Sequence, residues 1–304
     1  MPRPRLIDWA VMILLSLIWG AAFANIRLAL TGFGPLSVAA LRIAIGAAVL
    51  SVAMRAMGQS MPPLSARRDW GYILAIAVFS NTLPFALLAW AQVHVASGFA
   101  GIAMAAGPLF TLLLAAATLP GERLRVHQLT GIALGAVGVV LLIGPKALIA
   151  TGAEAEGLAR LACIAAALSY SIGSIATRMA PRLPMPAMAA AVLILAGAMS
   201  TALMLAVEGV PPVLSAPPAA LASVVYLGLM PTALATLLLI WVIRRAGPNF
   251  IALSNYQVPV WSVIFGALVF GERLPASFLT ALVLILAGLA LSNAPARRRA
   301  RTSE

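Results

Sequence analysis

Ten apolar stretches follow one another along the chain, and each is long enough to cross a bilayer, which takes about 20 helical residues. They run roughly over 7–30, 35–57, 69–91, 96–118, 126–143, 157–180, 187–207, 219–243, 248–270 and 275–293. The turns between them are short and rich in Pro and Gly, as at Thr31-Gly32-Phe33-Gly34-Pro35, Val210-Pro211-Pro212 and Ala246-Gly247-Pro248. Hydrophobic residues make up 62% of the 304 and charged ones 9%, with a mean hydropathy of +1.04. A soluble domain has no interior large enough for that much apolar sequence, so the solvent is a bilayer. The fold class expected is all-α integral membrane, with ten transmembrane helices.

The chain also repeats itself. Gly121-Glu122-Arg123-Leu124 returns as Gly271-Glu272-Arg273-Leu274, a shift of 150. A shift of 151 pairs Arg27 with Arg178, Pro35 with Pro186, Trp90 with Trp241, Phe99 with Phe250 and Pro108 with Pro259. Matches of Trp and Pro in one register are much rarer by accident than matches of Ala and Leu. The longest connection, around Gly144 to Gly157, divides the chain into residues 1–147 and 148–304, each with five stretches. Five is odd, so the second half is expected upside down relative to the first. Duplicated, inverted halves are how many carriers are built, with the site between them.

The net charge of +12 does not point to nucleic acid, because the charges sit in short loops and at the ends. With the N-terminus placed in the cytoplasm, fifteen Arg fall inside, from Arg3 and Arg5 to Arg299 and Arg301. Only Arg27, Lys146, Arg160 and Arg273 fall outside, and Arg42 lies within a span. That asymmetry puts both termini in the cytoplasm. Ala22-Phe23-Ala24 after a basic start has the form of a signal-peptide cleavage site. The Arg27–Arg178 match instead assigns the first stretch to the fold. Cys163 stands alone in an apolar run, has no partner for an internal disulfide, and is expected to pack.

Several motifs carry a family resemblance: the Gly-Glu-Arg-Leu turns after the fourth and ninth stretches, Trp19-Gly20-Ala21-Ala22-Phe23-Ala24, Pro35 followed by Arg42, and Pro108. Over residues 7–293 the chain resembles the drug/metabolite transporter superfamily, EamA type. Within it, the chain looks most like the YddG-type exporters of aromatic and other amino acids. The resemblance implies a multi-pass carrier in the bacterial inner membrane that exports small metabolites, with no cofactor. The partners expected are a small-molecule substrate and the lipid, with a monomer as the working unit.

Polar side chains at membrane depth single out a substrate path. Candidates are Trp19 and Asn25 in the first stretch, Asn81 and Trp90 in the third, and Tyr170 and Ser174 in the sixth. The ninth carries Asn255, Tyr256, Gln257 and Trp261, with Gln257 and Trp261 four apart on one helix face. Competing roles exist for each type. Ser in a membrane helix also bonds its own backbone. Trp90, near a helix end, suits interfacial anchoring. Arg42 suits either architecture or a substrate carboxylate. Pro84, Pro108, Pro231 and Pro259 break backbone hydrogen bonds inside helices, as static kinks or as hinges. Gly131, Gly135, Gly138 and Gly288 are expected to pack the fifth and tenth stretches together, away from the path.

Chemistry is not expected. There is no His-Glu-x-x-His helix, paired carboxylate set or phosphate loop, and His94 and His127 fall in opposite loops. Every acidic residue sits at a helix end, in a loop or in the tail, with Glu122 and Glu272 expected to cap or pair locally. A carboxylate at the membrane midplane, which proton-driven carriers commonly use, is missing. Facilitated export by alternating access is the mechanism expected.

Overall fold

The computed structural model describes residues 5–144, 155–181 and 183–294, and within them the chain is all helix and turn. The charges at Arg3, Lys146, Glu154, Arg182 and beyond 294, and the 147/148 boundary, lie outside the described residues. The first five stretches form α1 (Leu6–Ala29), α2 (Pro35–Ala56), α3 (Arg67–Ala77) with α4 (Leu83–Ala91), α5 (Ser97–Met104) with α6 (Gly107–Thr118), and α7 (Val126–Ile143). The second five form α8 (Ala155–Met179), α9 (Met185–Val207), α10 (Pro218–Leu227) with α11 (Ala235–Ala246), α12 (Pro248–Ile251) with α13 (Ser254–Phe270), and α14 (Ala276–Ser292). Eight helical stretches are long and apolar enough to cross a membrane. The last two stretches carry the shorter α13 and α14, 17 residues each.

Local chemistry sets the ends. Pro35 opens α2 at a position where its missing N–H costs nothing. Asp8 accepts the Arg5 N–H and Gln128 the Arg125 N–H, closing the first turns of α1 and α7. Gly121 and Gly271, which begin the two repeated turns, have φ of 84° and 65°. That left-handed backbone is why each motif starts with Gly. His127 lies in the first turn of α7 rather than in a loop.

The prolines do not act alike. Two are absorbed by π-helical segments, Val78–Thr82 just before Pro84 and Gly228–Leu234 around Pro231. A wider turn accommodates a residue that has no N–H, and the freed carbonyls find hydroxyls. Ser169 Oγ donates to Phe79 O at 2.8 Å, and Thr232 Oγ1 to Leu227 O at 2.7 Å. Pro108 instead follows a break at Ala105-Ala106, between α5 and α6. Pro259 sits inside an uninterrupted α13.

Helices from the two halves pack against each other. α1 lies on α13, α8 on α6, α2 on α9 and α7 on α14. In the α7–α14 pair the backbones nearly touch, since a Cβ on Gly131 would strike Gly288 O and one on Gly288 would strike Gly131 O. Small residues thus set this contact, as their spacing predicts. Phe99, Ile102, Leu142, Cys163 and Ile285 share one buried core, while Ile43, Leu50, Ile73 and Leu193 share another.

Candidate functional site

A cavity of about 850 Å³ lies among α1, α2, α4, α5, α6, α8, α11, α12, α13 and α14, within the roughly 300–1,000 Å³ of small-molecule sites. It opens toward the end of the bundle where α1 begins, here the near end, past Arg178, Asn255 and Asn293, all exposed. Toward the far end it is floored by buried Ala22, Phe23, Ile26 and Leu88. The walls are mostly apolar and aromatic, with Trp19, Phe85, Met104 and Tyr170 prominent.

Of the residues proposed from sequence, Trp19, Arg42, Tyr170, Ser174 and Asn255 line this space, as do Pro108, Pro231 and Pro259. The others do not. Asn25 Nδ2 donates to Ala21 O at 2.9 Å, within its own helix. Asn81 lies in the first π segment. Trp90, 37% exposed, stands edge-on to His94 at the end of α4. Tyr256 accepts from Asn293 Nδ2 at 3.0 Å, and Gln257 Nε2 reaches Met12 Sδ at 3.2 Å. Trp261 lies against Gly20 and Phe265. Pro84 is buried beside Phe85. The i, i+4 spacing put Gln257 and Trp261 on one face, but that face meets α1.

Sequence reasoning passed over Phe23, Phe85, Met104, Thr111 and Arg178. In an apolar helix a Phe or Met carries no mark distinguishing a cavity wall from a lipid contact. Arg178 did carry one, its match to Arg27. The sixth-stretch hydroxyls are mostly turned to backbone, Ser174 to Tyr170 O at 2.8 Å and Ser171 to Gly107 O at 2.8 Å. α14 packs on α7 as expected, yet its Leu289 and the Asn293 that follows it border the cavity, so this pair is not wholly apart from it.

Arg42 is 6% exposed and does not reach for the surface. Its guanidinium lies over the Phe85 ring, 3.9 Å from the centroid. Nε and Nη2 both donate to Thr232 Oγ1, at 3.4 and 3.2 Å. Among the described residues no carboxylate pairs with it.

The repeated Glu residues pair across the halves rather than locally. Glu272 binds Arg27, 245 positions away, and accepts from Ser97 N and Oγ at 2.9 Å each and from Gly98 N at 3.0 Å. It therefore caps α5 while holding α1. Its side chain is 7% exposed. Burial pushes its pKa up, but the Gly98 and Ser97 amides, the Ser97 hydroxyl and Arg27 together outweigh that and hold it below the usual carboxylate value. Glu122 binds Arg178 at 3.0 Å, with both side chains half exposed. The first pair lies at the far end and the second at the near end, beside the cavity mouth. At the far end Glu208 also caps α2, accepting from Leu36 N and Ser37 N at 2.8 Å each.

Packed apolar helices around a cavity of metabolite size are the build of a membrane protein that takes up a small molecule, as a transporter does. The chain belongs to the EamA-like transporter family, whose profile matches residues 8–144 and 157–294. A probable terminal-alkyne amino-acid exporter of Streptantibioticus cattleyicolor is 31% identical over 147 residues, 48% of each chain, so the match spans about half of that relative. A probable amino-acid metabolite efflux pump of Escherichia coli is 30% identical over 55% of this chain and 52% of its own. Its namesake in Salmonella typhimurium is 26% identical over 97% of this chain and 98% of its own. One crystal structure superposes with a TM-score of 0.66 at 23% identity, covering 95% of this chain and 98% of the other, which supports the fold.

Proposed function

We propose that the protein exports small metabolites, amino acids including aromatic ones, by alternating access of two inverted five-helix halves. The observation that carries this reading is the crossed pairing at the two ends. Arg27 and Arg178 match at a shift of 151, Glu122 and Glu272 at 150, and each Arg takes the Glu of the other half. The two pairs sit at opposite ends, as two inverted copies require. Helix packing has the same pattern, α1 on α13 answering α8 on α6. The π segments Val78–Thr82 and Gly228–Leu234 fall at equivalent places in the two halves.

In this reading α13 and α14 also cross, giving ten spans in the bacterial inner membrane with both termini cytoplasmic. The near end then faces the cytoplasm, and the cavity is open inward. Closing it requires α6 and α13 to move, with Pro108 and Pro259 as matched hinges in its wall. The relatives named as a probable amino-acid exporter and probable amino-acid metabolite efflux pumps support the substrate class. Among the described residues no carboxylate lines the cavity, which favours facilitated diffusion over a buried acidic proton relay.

Counterflow of labelled amino acid in proteoliposomes tests the carrier. It is expected here and is absent from a receptor that binds without moving its ligand. Pro108→Ala and Pro259→Ala are expected to slow counterflow severalfold while leaving binding intact. Wild-type rates in both variants would remove the hinges from the mechanism.

A further inference from the structure

Building on the carrier reading, we propose that Arg42 is a carboxylate subsite and that the cargo is recognised as an organic acid whose amino group is dispensable. Arg42 is a buried cation without an ion-pair partner among the described residues, and it lines the cavity. A guanidinium has five N–H donors. Two of its nitrogens share one hydroxyl, Thr232 Oγ1, whose own hydrogen is committed to Leu227 O. Phe85 covers one face of the group. Nη1 makes no hydrogen bond among the described residues, and the side chain that carries it lines the cavity.

A buried unneutralised charge is costly, and a neutral hydroxyl with an aromatic face offsets only part of that. What completes the site is a planar group with one negative charge and two acceptors, which describes a carboxylate. The charge count favours a monoanion. The other guanidinium of the wall, Arg178, already has Glu122, so a dianion would leave one buried negative charge unmatched. Among the described residues the wall contains no Asp or Glu to receive an ammonium. An amino group would meet only neutral groups such as Tyr170 and Asn255, and Trp19 and Met104 suit an apolar or aromatic body.

The test uses the full chain in lipid nanodiscs for binding and in proteoliposomes for counterflow of labelled phenylalanine. Phenylalanine and N-acetylphenylalanine are expected to bind within about tenfold of each other. Phenylalaninamide, phenethylamine and phenyl phosphate are expected to bind at least about a hundredfold more weakly. Arg42→Gln should bring the acid-to-amide ratio near one, a change that a purely structural Arg would not produce. Arg42→Lys, which keeps the charge but loses the fork, should lower that ratio without abolishing it, and serves if the Gln variant fails to fold. Amide, amine or phosphate binding as well as the acids overturns the subsite, and intact counterflow would then leave the carrier standing. Acids that bind without counterflow overturn the carrier and leave the subsite. No binding by either acid overturns the subsite.

Discussion

The two Gly-Glu-Arg-Leu turns began as the same four residues and now hold their ends of the molecule very differently. At the far end Glu272 is buried and collects two backbone amides, a hydroxyl and Arg27. At the near end the partner of Glu122 among the described residues is Arg178, both half exposed. The cause is visible in the partner segment. Ser97-Gly98-Phe99 corresponds to Pro248-Asn249-Phe250 under the repeat. Pro248 has no N–H, so Glu122 cannot be held by two successive amides as Glu272 is. Exposed ion pairs contribute little, whereas buried, multiply hydrogen-bonded ones are costly to break. The same motif thus makes an ion-pair latch at each end, and one proline sets them apart.

The largest test of that inequality is Glu272→Gln. It leaves Arg27 unpaired and turns an amide NH₂ toward backbone donors, at a cost of about 2–4 kcal/mol. A lower melting temperature, and labelling of a cysteine placed at the far end of the cavity, would register it. Ser97→Pro carries the near-end chemistry to the far end. Proline fits the first position of α5 but removes one amide and the hydroxyl, so about 1–3 kcal/mol should be lost. Wild-type behaviour in that variant would break the comparison. Glu122→Gln is expected to cost less than about 1 kcal/mol. An equal effect of the two Glu→Gln changes would erase the distinction.

The smallest effect is with pH. Glu272 titrates below the ordinary value of 4.5, so its contribution is fully present above that value and is lost as the pH falls through its lowered pKa. Far-end labelling, taken as a ratio to that of the same cysteine in Glu272→Gln at each pH so that thiol ionisation cancels, should therefore stay flat between about pH 5 and 8 and rise only in stronger acid. A rise near neutrality would assign the latch to some other group.

Much of this frame was legible in the sequence because a bilayer imposes it. The apolar stretches found α2 and α7 to within a residue, and their Pro and Gly edges mark real helix ends. What sits beside what was harder to read. Local reasoning assigned Glu122 and Glu272 to neighbouring partners, although the Arg27–Arg178 match in nearly the same register already hinted at a longer reach. Helical period put Gln257 and Trp261 together correctly but could not say which neighbour that face meets. The prolines were expected to bend helices. Two of them sit at π segments, whose added residue leaves no signature beyond the proline itself. Phe85 was invisible for another reason: a ring stacked on a guanidinium and a ring facing lipid are spelled alike.

Cys163 has one more consequence. It is the chain's single thiol, and with 0% exposure inside α8 it is out of reach of water-borne reagents. The natural protein is therefore already a silent background for thiol chemistry. A cysteine introduced at either latch would report alone, so the motion of each end can be followed in an otherwise unaltered chain.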